Sequence, residues 1–135
     1  MELRSTPKAL DGKTKKQYIE AILEVLEQAE LDMPNMKVRY IVSVNRTDTD
    51  VDGIRETLGV IKELASPYIV GLELSGDPRS GSFETVKEVI EEARRDHGLK
   101  VTLHCAEVPE QAEESQAMID FRPDRLGHCC YLSED

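Results

Sequence analysis

The chain has 135 residues, of which 39% are hydrophobic and 33% are charged, and this length fits one ordinary domain. The formal net charge of -10 disfavours a nucleic acid or an anionic membrane surface as the partner. No segment approaches the roughly 18 apolar residues of a membrane span, and the N-terminus lacks the pattern of a secretory signal. The 3 cysteines, without a CxxC spacing, favour free thiols in a reducing compartment. We therefore expect a cytosolic protein.

Five short segments have the composition of β-strands. Each contains β-branched or other apolar residues, and turn or loop residues follow. Strands that are apolar on both faces, or nearly so, are typical of a parallel sheet covered by helices. The segments are residues 2–4, 37–44, 69–74, 100–104 and 125–128.

Amphipathic helices are predicted between successive strands. Residues 14–17 form a capping box that starts the first helix, and Asp50 is positioned to cap the second. Ser82 is the predicted N-cap of the third helix, which ends before Gly98. The fourth helix follows Pro109, because proline suits the first turn of a helix.

The alternation of strands and helices predicts an α/β fold. We expect parallel βα units that form part of a TIM (β/α)8 barrel, with about five strands and four helices. A complete barrel usually takes about 250 residues, so we interpret residues 1–135 as one partial domain of a longer enzyme. A small flavodoxin-like binding domain is the alternative. Strand order separates the two, because a barrel fragment has its strands in sequential order.

Polar residues at the carboxyl ends of the predicted strands are the candidates for chemistry, because parallel βα folds bind ligands there. His104 could be a rigidly aimed metal ligand, or it could hydrogen-bond a neighbouring loop. Glu107 could act as a general acid or base, or could be a solvated loop carboxylate. His128 could orient a metal-bound water or could be an inert histidine at an edge.

Small polar residues follow the first and third strands. Ser5, Thr6 and Lys8 could hold a phosphate, or could only make their loop soluble. Gly76 lets the backbone approach a ligand, although SGDP alone indicates only a turn. We interpret the three cysteines as structural thiols.

Three motifs, in this order, resemble the strand-end motifs of the adenosine deaminase family of zinc-dependent barrels. They are GLELSGDP at residues 71–78, TLHCAE at residues 102–107 and DRLGH at residues 124–128. ELRSTPK at residues 2–8 and VSVNR at residues 42–46 are similar to segments of one branch of this family, the N6-methyl-AMP deaminases. The resemblance implies a zinc-dependent hydrolase of nucleotide metabolism that deaminates a purine nucleoside or nucleoside monophosphate at C6: N6-methyl-AMP, AMP or adenosine.

The resemblance also implies roles for individual residues. His104 is expected to bind zinc, Glu107 to hand a proton to N1 of the purine, and His128 to orient the attacking water. The backbone of Gly76 is expected to approach the purine edge. The stretch expected to lie against the nucleotide phosphate consists of Ser5, Thr6, Pro7 and Lys8.

The sequence departs from the family pattern at several positions. Asn45 stands where the branch usually has an aspartate that contacts the substrate, and Cys129 replaces the glycine usual after the last histidine. The family takes further zinc ligands from an HxH pair and an aspartate, and no HxH occurs in this sequence. Because one imidazole cannot hold catalytic zinc, we expect the 135-residue chain alone to bind zinc weakly and to be inactive. The alternative is a non-catalytic truncated product.

Overall fold

The computed structural model describes residues 1–47 and 50–132, in which strands and helices alternate. The strands are β1 (Glu2–Ser5), β2 (Arg39–Asn45), β3 (Ile69–Ser75), β4 (Lys100–Cys105) and β5 (Arg125–His128). The helices are α1 (Lys15–Asp32), α2 (Val51–Leu64), α3 (Phe83–His97) and α4 (Ala112–Asp120). A short 3-10 helix, Pro109–Gln111, precedes α4.

The five strands form one parallel sheet in the order β1-β2-β3-β4-β5. This confirms the predicted sequential order. A flavodoxin-like sheet has its first strand between two others, so that alternative is wrong. Successive helices contact each other, α1 with α2, α2 with α3 and α3 with α4, and therefore form one layer. Within residues 1–47 and 50–132, no helix is both long and apolar enough to cross a membrane.

The apolar core lies between the sheet and the helix layer. Tyr40, Val42 and Val44 of β2 belong to it, as do Val101 and Leu103 of β4. These residues alternate along their strands, as side chains on one face of a sheet must. Each fully buried aliphatic side chain contributes about 1.5–3 kcal/mol of transfer free energy, so this layer dominates the stability of the fold.

The opposite face of the sheet is polar and concave, which corrects the prediction that the strands are apolar on both faces, or nearly so. Glu73 and Ser43 are buried on this face. Glu2 of β1 accepts a 2.7 Å hydrogen bond from Arg125 of β5, although these strands lie at opposite ends of the strand order. The sheet is therefore curled into a half-barrel whose interior is lined by polar side chains.

The predicted ends of three helices are confirmed. Thr14 accepts a hydrogen bond from the backbone N–H of Gln17 at 3.2 Å, and the capping box is complete. Asp50 accepts from the backbone N–H of Gly53 at 2.8 Å. Gly98 ends α3 with φ of +65°, in the left-handed conformation that favours glycine.

Two predicted helix starts differ from the structure. Ser82 lies at the N-cap position of α3, but its side chain makes no capping hydrogen bond. The backbone N–H of Phe83 donates instead to the carboxylate of Glu114 at 2.7 Å, because a charged acceptor from α4 reaches this helix end. Pro109 begins the 3-10 helix rather than α4, since proline suits the first turn of either helix type.

Candidate active site

His104, Glu107 and His128 lie together at the carboxyl ends of β4 and β5. His128 Nε2 lies 3.2 Å from His104 Nδ1 and 3.6 Å from Glu107 Oε2. The two imidazole rings meet edge to face, with centroids 4.7 Å apart. One donor atom from each of the three side chains lies within 4.8 Å of the other two. Three residues predicted at separate positions in the sequence therefore form one cluster.

Strand register and a left-handed backbone build this cluster. β4 and β5 pair so that His104 lies opposite Gly127. Ala106 has φ of +52° and His128 has φ of +63°, a region that residues with a side chain adopt only at a cost. Both strands therefore end abruptly at the site, and Glu107 directly follows the left-handed residue Ala106. Such strain is retained where the surrounding structure imposes it, often at functional sites.

Glu73, in the middle of β3, contacts the other side of the His104 ring. Its carboxylate contacts His104 Nε2 and accepts a hydrogen bond from Arg4 Nη1 at 2.9 Å. Burial raises the pKa of Glu73, but the hydrogen bonds and charges of His104 and Arg4 outweigh it, so the pKa lies below its ordinary value. An ionised carboxylate behind an imidazole fixes the orientation of the ring, as carboxylates do behind metal-binding histidines.

Sequence reasoning missed Glu73. The available signal was a single charged residue inside the otherwise apolar segment of residues 69–74. A carboxylate at 3% side-chain exposure requires partners, and the partners come from β1 and β4.

The cluster offers the donor types that zinc prefers, imidazole nitrogen and carboxylate oxygen. Because Glu73 contacts Nε2 of His104, the Nδ1 atom is the nitrogen that faces Glu107 and His128. The chemistry of these donors fits a divalent transition metal. The family pattern, in contrast, implies only His104 as a zinc ligand from this part of the sequence.

A cavity of about 300 Å³ lies at the same end of the sheet, beside the loop that follows β1. It is lined by Thr6, Pro7, Lys8 and Asn45, together with Lys15. Pro7 is buried and Lys8 is exposed. Four residues predicted to contact the substrate therefore share one cavity.

Ser5 and Gly76 lie outside that cavity. The Ser5 hydroxyl shares a 2.9 Å hydrogen bond with the hydroxyl of Tyr40, and burial raises the pKa of Tyr40 to about 12. Gly76 has φ of +110°, and a Cβ atom at this position would clash with Oδ1 of Asn45. That oxygen accepts a hydrogen bond from the backbone N–H of Thr47 at 2.9 Å. Only glycine fits between the ends of β2 and β3 in this arrangement.

The three cysteines are unpaired, as predicted. Cys105 is buried on the helix side, where its Sγ lies 3.7 Å from the Ser115 carbonyl oxygen. Cys129 has φ of +59°, so it keeps a conformation that favours glycine. The departure from the family pattern at this position therefore strains the backbone after β5.

The adenosine deaminase family model matches residues 1–135. The N6-methyl-AMP deaminase of Bos taurus is 38% identical over 138 residues, covering 98% of this chain and 39% of the bovine protein. Arabidopsis ADAL complexed with IMP aligns with a TM-score of 0.86 at 36% identity, covering 98% of this chain and 41% of that chain. Its GMP complex aligns with the same TM-score and identity, covering 98% of this chain and 40% of that chain.

A Burkholderia ambifaria amidohydrolase with bound Zn aligns with a TM-score of 0.81 at 19% identity, covering 93% of this chain and 35% of that chain, and shares the fold. The chain spans about two fifths of the length of the bovine and Arabidopsis relatives. Its five parallel strands and four helices match part of the TIM-barrel fold of Arabidopsis ADAL, as predicted. The chain belongs to the adenosine deaminase family.

Proposed function

We propose that this chain is part of a zinc-dependent deaminase that acts on the N6 group of a purine nucleoside monophosphate. The observation that carries the proposal is the convergence of His104, Glu107 and His128 within 4.8 Å, in a member of the adenosine deaminase family. The nucleotide substrate is supported by the bovine relative, named N6-methyl-AMP deaminase, and by the Arabidopsis complexes with IMP and GMP.

In the proposed reaction, the oxygen of water forms a bond to purine C6 and the N6 nitrogen takes up the proton that was removed from the water. The C6–N6 bond then breaks, ammonia or methylamine leaves, and the hydroxyl on C6 loses its proton to Glu107 to give the 6-oxopurine. When bound, a zinc ion lowers the pKa of a water molecule towards neutrality. His104, oriented by Glu73, would be one ligand of this ion. His128 accepts a proton from the attacking water, and its side chain is 45% exposed and therefore accessible. Glu107 donates a proton to N1, which draws electron density away from C6.

The cavity beside β1 is the proposed subsite for the 5′-phosphate. Thr6 and Lys8 supply a hydroxyl donor and a cation, which form charge-assisted hydrogen bonds with a phosphate, and Asn45 lies at the same cavity. Ser5 supports the loop through its hydrogen bond to Tyr40, and Pro7 holds it by burial. The Gly76 backbone approaches the purine edge. We assign the protein to cytosolic nucleotide metabolism, in keeping with its free thiols.

The test uses the full-length protein that contains these residues, purified with zinc. Deamination of N6-methyl-AMP, AMP and adenosine is measured by the change in purine absorbance. Lys8→Ala is expected to lower kcat/KM for the monophosphates by about tenfold or more, equivalent to about 1.4 kcal/mol, and to leave adenosine almost unchanged. Lys13→Ala is the matched control. This substitution removes the same charge near the same loop, but Lys13 does not line the cavity.

An equal loss of kcat/KM for nucleotide and nucleoside substrates in Lys8→Ala would show that Lys8 has a structural role. A clear preference of the unmodified protein for adenosine would move the assignment to the adenosine branch. Absence of turnover with all three substrates would refute the proposed activity. The 135-residue chain alone is expected to show no turnover, and turnover that chelation abolishes would show that its own ligands are sufficient.

A further inference from the structure

Arg46, the residue directly after β2, forms a partly buried ion pair with Glu114 of α4. Arg46 Nη2 lies 2.7 Å from Glu114 Oε1, and Nη1 lies 2.9 Å from Oε2, so the pair is bidentate. The side chain of Arg46 is only 5% exposed and that of Glu114 is 20% exposed. The Arg46 Nε also donates to the carbonyl oxygen of Ser80 at 2.7 Å. One guanidinium therefore connects the loop after β2 with the loop after β3 and with α4.

Glu114 completes the connection at the start of α3. Its Oε1 accepts a hydrogen bond from the backbone N–H of Phe83 at 2.7 Å, in place of the missing side-chain cap of Ser82. The loop before α3 also fits closely over Arg46. Gly81 has φ of +65°, and a Cβ atom there would lie 2.9 Å from the carbonyl oxygen of Arg46. The contact leaves no room for a larger residue.

The loops that this pair connects carry residues assigned to the substrate. Asn45 precedes Arg46 in the chain, and the Arg46 backbone N–H donates to the carbonyl oxygen of Ser75, next to Gly76, at 2.8 Å. Glu107 lies in the segment between β4 and α4. A change in the position of Arg46 or Glu114 therefore shifts the loops after β2 and β3, which contact the pair, relative to α4, the helix that this segment enters.

Stability alone does not explain an ion pair with a buried arginine, because desolvation of the guanidinium offsets much of the attraction. A bidentate arginine–carboxylate pair instead fixes the distance and the relative orientation of the groups that it joins. We propose that Arg46 and Glu114 are positioning residues, which hold the loops after β2 and β3 against α4 in the arrangement that binds the purine nucleotide. This inference rests on the proposed function, which assigns those loops to the substrate.

The experiment compares the full-length zinc-loaded protein with its Glu114→Gln variant. Glutamine keeps an oxygen acceptor for the Phe83 N–H but loses the charge that holds Arg46. We expect KM for N6-methyl-AMP and the Kd for IMP to rise about tenfold, with kcat within about twofold, since displaced contacts weaken binding. Glu92→Gln is the matched control. Glu92 pairs with Arg55 at 2.7 Å between α2 and α3, away from the loops.

Arg46→Lys is the second variant, because it keeps the charge and loses the bidentate geometry. It is also expected to raise KM for N6-methyl-AMP and the Kd for IMP. It therefore provides an independent measurement if Glu114→Gln does not fold. In the double variant the two effects should be less than additive, because both remove one interaction. Melting followed by circular dichroism accompanies each measurement.

A lower melting temperature with unchanged KM and unchanged Kd would overturn the inference and make the pair purely structural. Equal effects of Glu92→Gln and Glu114→Gln on KM would overturn it as well. If the unmodified protein neither binds IMP nor deaminates N6-methyl-AMP, the proposed function fails and this inference fails with it. That failure is recognised in the unmodified protein alone, before any variant is compared.

Discussion

Ala65 ends α2 in a conformation that suits glycine better than alanine. Its φ is +45° and its ψ is +36°, the left-handed region, and its side chain is exposed. This conformation costs a residue with a Cβ atom about 1–2 kcal/mol, whereas the extra freedom of glycine in the unfolded chain costs about 0.4–1 kcal/mol. Ala65→Gly is therefore expected to raise the free energy of unfolding by about 0.5–1 kcal/mol, and Tm by about 2–4 °C for a chain of this length.

The assay is urea denaturation of the purified chain, followed by circular dichroism. Ala21→Gly is the control. Ala21 is solvent-exposed and lies away from the ends of α1, where glycine is expected to lower the free energy of unfolding by about 0.5–1 kcal/mol. The same chemical change should therefore have opposite signs at the two sites. A similar loss of stability in both variants would refute the reasoning from backbone conformation.

Three further outcomes are expected. The backbone N–H of Val101 and the ammonium of Lys100 hold the pKa of Asp124 below its ordinary value of 3.8, so Asp124 stabilises the fold above that pH. In the Asp124→Asn variant the free energy of unfolding should therefore fall less steeply as pH falls through the lowered pKa. The same pH dependence in both proteins, measured by urea denaturation, would contradict this. Tyr40→Phe should lower the free energy of unfolding by about 1 kcal/mol, because the Ser5 hydroxyl loses its partner; equal urea midpoints would show that water replaces it. His104→Ala should remove the weak zinc binding expected of the chain in equilibrium dialysis, and unchanged weak binding would locate the metal elsewhere.

Local signals were sufficient to predict most secondary structure. The segment of residues 125–128 coincides with β5, and the segment of residues 37–44 begins two residues before β2. The caps at Thr14 and Asp50 were readable because each acts on a backbone N–H three residues along the chain. The strand-end position of His104 and His128 also followed from sequence alone, because both strands were recognisable.

Contacts between distant segments could not be predicted in the same way. Arg46 and Glu114 are 68 residues apart, and nothing near either residue indicates that they meet. Ser82 looked like an ordinary N-cap for the same reason, since the acceptor that replaces its side chain comes from α4. The polar concave face was missed because a charged residue within an apolar strand reveals its partners only once the sheet is curled.

The two faces of the sheet carry different kinds of side chain. The apolar core is confined to the side of the helices, whereas the concave side holds charged pairs such as Glu2 with Arg125 and Arg4 with Glu73. Substitutions on the concave face therefore act through polar partners rather than through the packing of the apolar core. The constraint on sequence should differ between adjacent positions of one strand: on β3, Leu72 and Leu74 are constrained by the apolar core, whereas Glu73 between them is constrained by its contacts with His104 and Arg4.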